Sequence, residues 1–304
     1  MKYKGTIVSG ALAICVAAAL WGLDGVVLTP RLYGVDIALV VFVVHVIPFL
    51  LMNFFLFKEY KQIRSFSPKD VLLFFLIAAF GGAIGTLSIV KALFLVNFQA
   101  LTIVVLLQKL QPIFVISLAT IFLKEKLKKN FVLWASIALV AGYFLTFGFS
   151  KPNFDTGSNT GLAALYSLLA AFSFGSSTVL SKKVLEKFNY STATFYRYGF
   201  TSVLMFIYVL FAGALPALMH VTNTQWIIFV IIGLTTGSGA IYLYYYGLTK
   251  VKAMLATICE LCFPVTAVLL DYFINHKILS LVQWISAIIM IFAIVKLSLE
   301  KQQE

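Results

Sequence analysis

The chain has 304 residues, of which 62% are hydrophobic and 11% charged, and a formal net charge of +12. A water-soluble domain cannot cover that much apolar side chain with polar surface, so composition excludes a soluble enzyme and makes lipid the solvent. The basic excess reads as a topology signal, because no soluble module remains to present it to nucleic acid, and no nucleic-acid partner is expected.

In chain order, hydropathy predicts ten membrane-spanning helices over 5–28, 37–57, 70–95, 98–123, 130–149, 161–181, 193–215, 225–249, 253–275 and 280–298. Each has about 20 residues or more, enough at a rise of 1.5 Å per residue to cross a hydrocarbon core of about 30 Å. The runs lack the alternation of barrel strands, so an all-α membrane protein is expected. The start, Met1-Lys-Tyr-Lys before an apolar run, has the outline of a secretory signal. The run is too long for one and contains Asp24, so it reads as an uncleaved first helix. With the N-terminus inside, 17 of the 23 Lys and Arg residues fall on cytoplasmic segments, including Lys2, Lys4, Lys58, Lys61, Lys124 and Lys301. Arg31, Lys151 and Lys277 fall outside, and Lys91, Lys109 and Arg197 lie within spans. This bias predicts that both termini are cytoplasmic, with the protein in the plasma membrane, a bacterial inner membrane by its features.

The chain is also duplicated. Shifted by about 150–155 residues, Trp21-Gly22 falls on Phe174-Gly175, Ala100-Leu101 on Ala253-Met254, and Pro112 on Pro264. The predicted units are a first five-helix repeat over 1–150, an outer linker over 151–160 rich in Gly, Asn and Ser, and a second five-helix repeat over 161–304. Five is odd, so the second copy enters from the opposite side. Two inverted five-helix repeats place a substrate site at their interface.

The pattern Lys91-Ala-Leu93, Ala100, Pro112 and Leu123-Lys-Glu125-Lys-Leu127 resembles the end of an EamA domain of the drug/metabolite transporter superfamily. The resemblance covers essentially the whole chain as two tandem domains. It implies a transporter whose spans three, four, eight and nine line the cavity, with one, two, six and seven completing it and five and ten outside. An acidic residue at the turn after span four belongs to this pattern, and Glu125 supplies it, while copy two has Lys277 at the aligned place. The family often has an arginine in the second span of each copy. Arg197 stands close to it in copy two, and copy one offers His45.

Charges within spans are the candidates for chemistry, because each costs roughly 2.5–3.5 kcal/mol to insert. Lys109 lies about halfway along span four, flanked by Gln108 and Gln111 and just ahead of Pro112, which removes one backbone hydrogen bond. It is expected to bind the anionic part of a substrate, or else to pair with Glu260. Glu260 precedes Pro264 in span nine and suits substrate binding or ion coupling. Asp24, following Trp21-Gly22, is the second coupling candidate, with a hydrated residue at the outer mouth as its plainer reading. Trp21, His45, Tyr242, Tyr245 and Tyr246 complete the substrate-binding candidates; the three tyrosines share one helical face and could stack on a solute or simply pack. Gly81, Gly82 and Gly85, like Gly233, Gly237 and Gly239, permit close contact or bending. No metal site or cofactor is expected: Cys259-Glu-Leu-Cys262 has no second ligand pair in sequence and reads as buried thiols.

No Gly-x-x-x-x-Gly-Lys-Ser/Thr loop occurs, so ATP hydrolysis by this chain cannot drive movement. The expected function is secondary active transport of a small organic solute by alternating access, driven by proton coupling or exchange. Intraspan charges lean positive, favouring an amino-acid-like or other anionic or zwitterionic metabolite. The alternatives are a lipophilic-cation exporter and a membrane-embedded enzyme on lipid intermediates. Membrane lipid is the other expected partner, and a homo-oligomer is open.

Overall fold

Glycine, proline and charge interrupt what hydropathy draws as unbroken helices. The computed structural model describes residues 2–96, 102–150, 159–276 and 278–299, and among these it is all-helical. In order the helices are α1 (Lys2–Leu23), α2 (Ile37–Leu56), α3 (Pro68–Ile77), α4 (Gly85–Leu95), α5 (Thr102–Gln108), α6 (Gln111–Phe122), α7 (Lys129–Phe147), α8 (Thr160–Val184), α9 (Tyr190–Phe211), α10 (Asn223–Ile232), α11 (Ser238–Lys250), α12 (Ala253–Cys259), α13 (Cys262–Asn275) and α14 (Leu281–Leu299). Among the described residues nine stretches are long and apolar enough to cross a membrane. The predicted fourth span is α5 and α6, for which the described residues give a shorter apolar stretch, Leu106–Phe122. Asn97, Ala100, Leu101, Lys151, Lys277, Lys301 and most of the expected linker lie outside the described residues.

Polar caps fix where the helices begin. The Asp36 side chain accepts from the Leu39 amide at the start of α2, and that of Asn189 from the Thr192 amide in the first turn of α9. Reciprocal capping boxes, Ser67 with Asp70 and Thr222 with Gln225, open α3 and α10. Such caps satisfy amides that the first turn leaves unpaired.

Three spans widen to π-type turns: Asp24–Leu28 after α1, Ala78–Ile84 between α3 and α4, and Gly233–Gly237 between α10 and α11. The last two hold Gly81 and Gly82, and Gly233 and Gly237, while Gly85 and Gly239 lie in the first turns of α4 and α11. The widened turn of span three lets α9 approach closely. A Cβ on Gly82 would overlap the Thr201 side chain, whose Cβ would lie 2.8 Å away. Spans four and nine break in the same way as each other. A turn at Lys109-Leu110 separates α5 from α6, and one at Glu260-Leu261 separates α12 from α13. Pro112 and Pro264 follow, each lacking the amide that would continue the preceding helix.

The buried centre joins both units. α1 packs on α11 and α13, α8 on α4 and α6, and α2 on α9, while α7 and α14 pack along one another. The hairpin between α11 and α12 is held from both sides. The Lys182 ammonium donates to the carbonyls of Leu248 (2.8 Å) and Val251 (2.7 Å), and the buried Glu125 carboxylate accepts from the amides of Ala253 (2.8 Å) and Met254 (3.0 Å). The acidic residue of the first unit thus caps a helix of the second. Hydrogen bonds to a charged group contribute about 1.5–3 kcal/mol. Glu125→Ala is therefore expected to destabilise the protein by roughly 2 kcal/mol, and Glu125→Gln by less, read as chemical unfolding in detergent. Equal stability of Glu125→Ala and the parent would contradict this cap.

Candidate functional site

The break in span nine presents Glu260 to side chains of α6 and α11. Its two oxygens are held separately: Oε1 accepts from the Tyr244 hydroxyl (2.6 Å) and Oε2 from the Gln111 amide nitrogen (2.6 Å). Gln111 opens α6 in the first unit and Tyr244 belongs to α11 in the second, so the carboxylate ties the two broken spans and span eight together. Tyr244 is buried, and its hydroxyl also lies 3.0 Å from Thr178 Oγ1. Its ring packs on Trp21, with centroids 5.4 Å apart at 50°. Trp21, Tyr244, Gln111 and Glu260 therefore form one group of an aromatic pair beside a hydrogen-bonded carboxylate. A carboxylate has about four acceptor positions. Two are occupied here, leaving capacity for donors on a solute.

Lys109 takes the opposite direction. Its ammonium donates to the Gly142 carbonyl and to Thr146 Oγ1, both on α7, and it lies 5.9 Å from the Phe147 ring centroid. Lys109 and Glu260 occupy matching breaks but are not partners. Gln108 ends α5 beside the break.

Arg197 is buried rather than extended toward the water, and it fastens span seven to spans three and eight. Its guanidinium donates to the Tyr245 hydroxyl (3.0 Å) and to the Gly81 carbonyl in the widened turn (3.0 Å). Tyr245 also meets Ser181 Oγ at 2.7 Å. His45 is buried in α2, with Nδ1 2.8 Å from the Val41 carbonyl and its ring 5.3 Å from that of Tyr198. Lys91 lies 5.8 Å from the Tyr166 ring centroid.

The face shared by Tyr242, Tyr245 and Tyr246 turns away from Glu260. Tyr242 meets Ser191 Oγ at 3.0 Å, Tyr246 accepts from the Lys250 ammonium, and both pack against the Tyr190 ring. The tyrosine that reaches the carboxylate is Tyr244, on the other side of the same helix. At 100° per residue it is the member of the run that faces away from the other three, which is the signal that picks it out. Asp24 starts the widened turn of span one, and its Oδ1 is buried with no hydrogen-bond partner. Among the described residues no group of three His, Cys, Asp or Glu is arranged to hold a metal ion.

Comparison with known proteins gives this arrangement a context. Residues 8–148 and 161–299 each match the EamA-like transporter family. The chain is 52% identical over 292 residues to the riboflavin transporter ImpX of Fusobacterium nucleatum subsp. nucleatum, covering 96% of this chain and 98% of that protein. A solved crystal structure shares the fold, with a TM-score of 0.68 and 17% identity over 94% of this chain and 97% of its own. The matches and the apolar helices together make this a multi-pass integral membrane transporter and not an enzyme. The chain belongs to the EamA-like transporter family.

Proposed function

We propose that this protein moves riboflavin, or a flavin very close to it, across the membrane by secondary active transport. The observation that carries the reading is the 52% identity, over 96% of the chain, to a relative named a riboflavin transporter. The geometry around Glu260 supports it. A flavin presents a flat heteroaromatic ring with an imide N–H between two carbonyls, and a polyhydroxyl chain. The Trp21–Tyr244 pair suits the ring face, and the free acceptor capacity of Glu260 suits the imide N–H or a chain hydroxyl.

The charges also favour a neutral solute over the anionic or zwitterionic one expected from composition. Lys109 is engaged on α7, and Arg197 is engaged by Tyr245 and the Gly81 carbonyl. The charge beside the aromatic pair is the carboxylate of Glu260. That same feature fits a lipophilic cation, the second reading. A thermal-shift panel of riboflavin, amino acids and lipophilic cations on the purified protein separates them. Riboflavin is expected to stabilise it and amino acids are not; stabilisation by cations alone would overturn the flavin assignment.

Movement occurs by alternating access of two inverted five-helix repeats, 1–150 and 161–304, with ten spans, both termini cytoplasmic and residues 151–160 as the outer linker. The paired family matches, the matching breaks at Lys109 and Glu260, and the matching widened turns of spans three and eight support this arrangement. Discontinuous helices at the repeat interface are where transporters of this architecture hold solutes. Gln111, Glu260, Tyr244 and Trp21 are the binding residues, and Lys109 positions α5 and α6 against α7. Lys109→Met should therefore keep riboflavin affinity within about threefold, since its ammonium is engaged by Gly142 and Thr146 on α7 and not by the carboxylate. A flavin-fluorescence titration checks this, and loss of binding would return Lys109 to the site.

A further inference from the structure

The chain that leaves span two is amphipathic in a threefold register. α2 has 20 residues, about 30 Å at 1.5 Å each, so Leu56 falls where the hydrocarbon core ends. Phe57–Ser65 continues as a 3-10 helix of nine residues, long for this helix type. Side chains three apart then line up, and each of the three rows has its own chemistry. Glu59 leads the row that meets the protein. Its Oε2 accepts from Thr192 Oγ1 (2.6 Å) and its carbonyl from the Tyr196 hydroxyl (2.9 Å), both on α9. Phe57, Tyr60 and Ile63 form an apolar row and are 57%, 48% and 54% exposed. Tyr60 fixes this row, with its ring edge-on to Phe195 at 5.0 Å and its hydroxyl donating to Asn53 (2.7 Å). Phe54 and Phe55, exposed on the last turn of α2, extend the apolar surface into the span. Lys58, Lys61 and Arg64 form the third row, and all three are exposed. Lys69, in the first turn of α3, is a fourth exposed cation.

The acidic groups of this stretch are already committed. Glu59 is held by Thr192, and Asp70 pairs with Lys187. Among the described residues the other salt bridge is Lys183 with Glu186, so no carboxylate pairs with the four cations. Four Lys and Arg directly after a span, beside an apolar row, suit a molecule that is apolar along one part and anionic at one end. The rings enter the boundary of the hydrocarbon, and the cations meet phosphate. Orientation by positive charge accounts for a count of basic residues and does not require them in a row beside exposed rings. The 3-10 helix that follows span seven, Leu215–His220, contains no Lys or Arg, so the basic row belongs to one unit.

We propose that Phe57–Ser65 is a binding site for anionic phospholipid, with Lys58, Lys61 and Arg64 on the headgroup phosphate and Phe57 and Ile63 against the acyl chains. The site is independent of which solute the protein moves.

The test titrates the purified full chain, in a neutral detergent, with phosphatidylglycerol or with phosphatidylcholine of the same acyl chains. Bound lipid is counted by native mass spectrometry. Saturable retention of phosphatidylglycerol is expected, about tenfold or more tighter than that of phosphatidylcholine. Removing one charge by Lys61→Gln or Arg64→Gln should weaken it about fivefold, and removing Lys58, Lys61 and Arg64 together by more than about tenfold. A control variant with Lys126→Gln, Lys128→Gln and Lys129→Gln loses as much exposed charge around the turn after α6 and should retain phosphatidylglycerol as the parent does. The single variants decide the matter if the triple variant of the row does not fold. Equal retention of the two lipids, or equal loss in the row variant and the control, overturns the site. So does a dimer in neutral detergent that the row variant disperses, since a second copy would then cover the row.

Discussion

Glu260→Gln is expected to weaken riboflavin binding by roughly five- to twelvefold while leaving the protein folded. The fold tolerates the change because a glutamine can keep both existing contacts. Its oxygen can accept from Gln111, and its amide can donate to the Tyr244 hydroxyl, which serves as donor or acceptor. What disappears is the charged acceptor offered to the solute. Hydrogen bonds to charged groups contribute about 1.5–3 kcal/mol against about 0.5–1.5 for neutral ones, and each 1.4 kcal/mol is tenfold in affinity. Gln111→Ala should have a smaller effect, since it frees an oxygen without removing the charge. Flavin-fluorescence titration of the two variants, with melting curves as the folding control, measures this. Unchanged affinity in Glu260→Gln would remove the carboxylate from the site.

Trp21→Ala should have an effect at least as large, for a different reason. Stacking of a nucleobase on an aromatic side chain contributes about 1–3 kcal/mol, and a flavin ring is at least as large, so affinity should fall roughly five- to 150-fold. Trp21→Phe keeps a ring and should stay within about tenfold of the parent. The position of Trp21 depends on the residue after it. A Cβ on Gly22 would lie 2.9 Å from the Phe263 carbonyl oxygen and from Thr266 Cβ, so the glycine lets α1 press against α13 just past the break at Glu260. This contact holds the indole beside Tyr244 and the carboxylate. Equal affinity in Trp21→Ala and the parent would show that the aromatic pair only packs.

Much of this arrangement is legible before any coordinates. Apolar length and composition identify the membrane class, because lipid demands them of every span. The charges ahead of Pro112 and Pro264 mark both helix breaks, because proline removes the amide that would carry the helix on. What cannot be read is rotation. Lys109 and Glu260 hold equivalent places, yet one turns to α7 and the other to α6 and α11. Packing by neighbouring helices decides between those directions, and local sequence does not encode it. The tyrosines of α11 show the same limit: the crowded face is visible, and the neighbour of each face is not. Widened turns leave only glycine as a trace, as at Gly81, Gly82 and Gly233. The cap formed by Glu125 spans 128 residues of chain to Ala253 and leaves no local signature.

The most direct measurement is uptake of radiolabelled riboflavin into vesicles containing the purified protein, beside vesicles containing Glu260→Gln. Saturable uptake by the parent that unlabelled riboflavin suppresses, that an excess of amino acids does not, and that Glu260→Gln lowers is the predicted result. No flux above protein-free vesicles, or equal flux through both proteins, would contradict flavin transport through the site around Glu260.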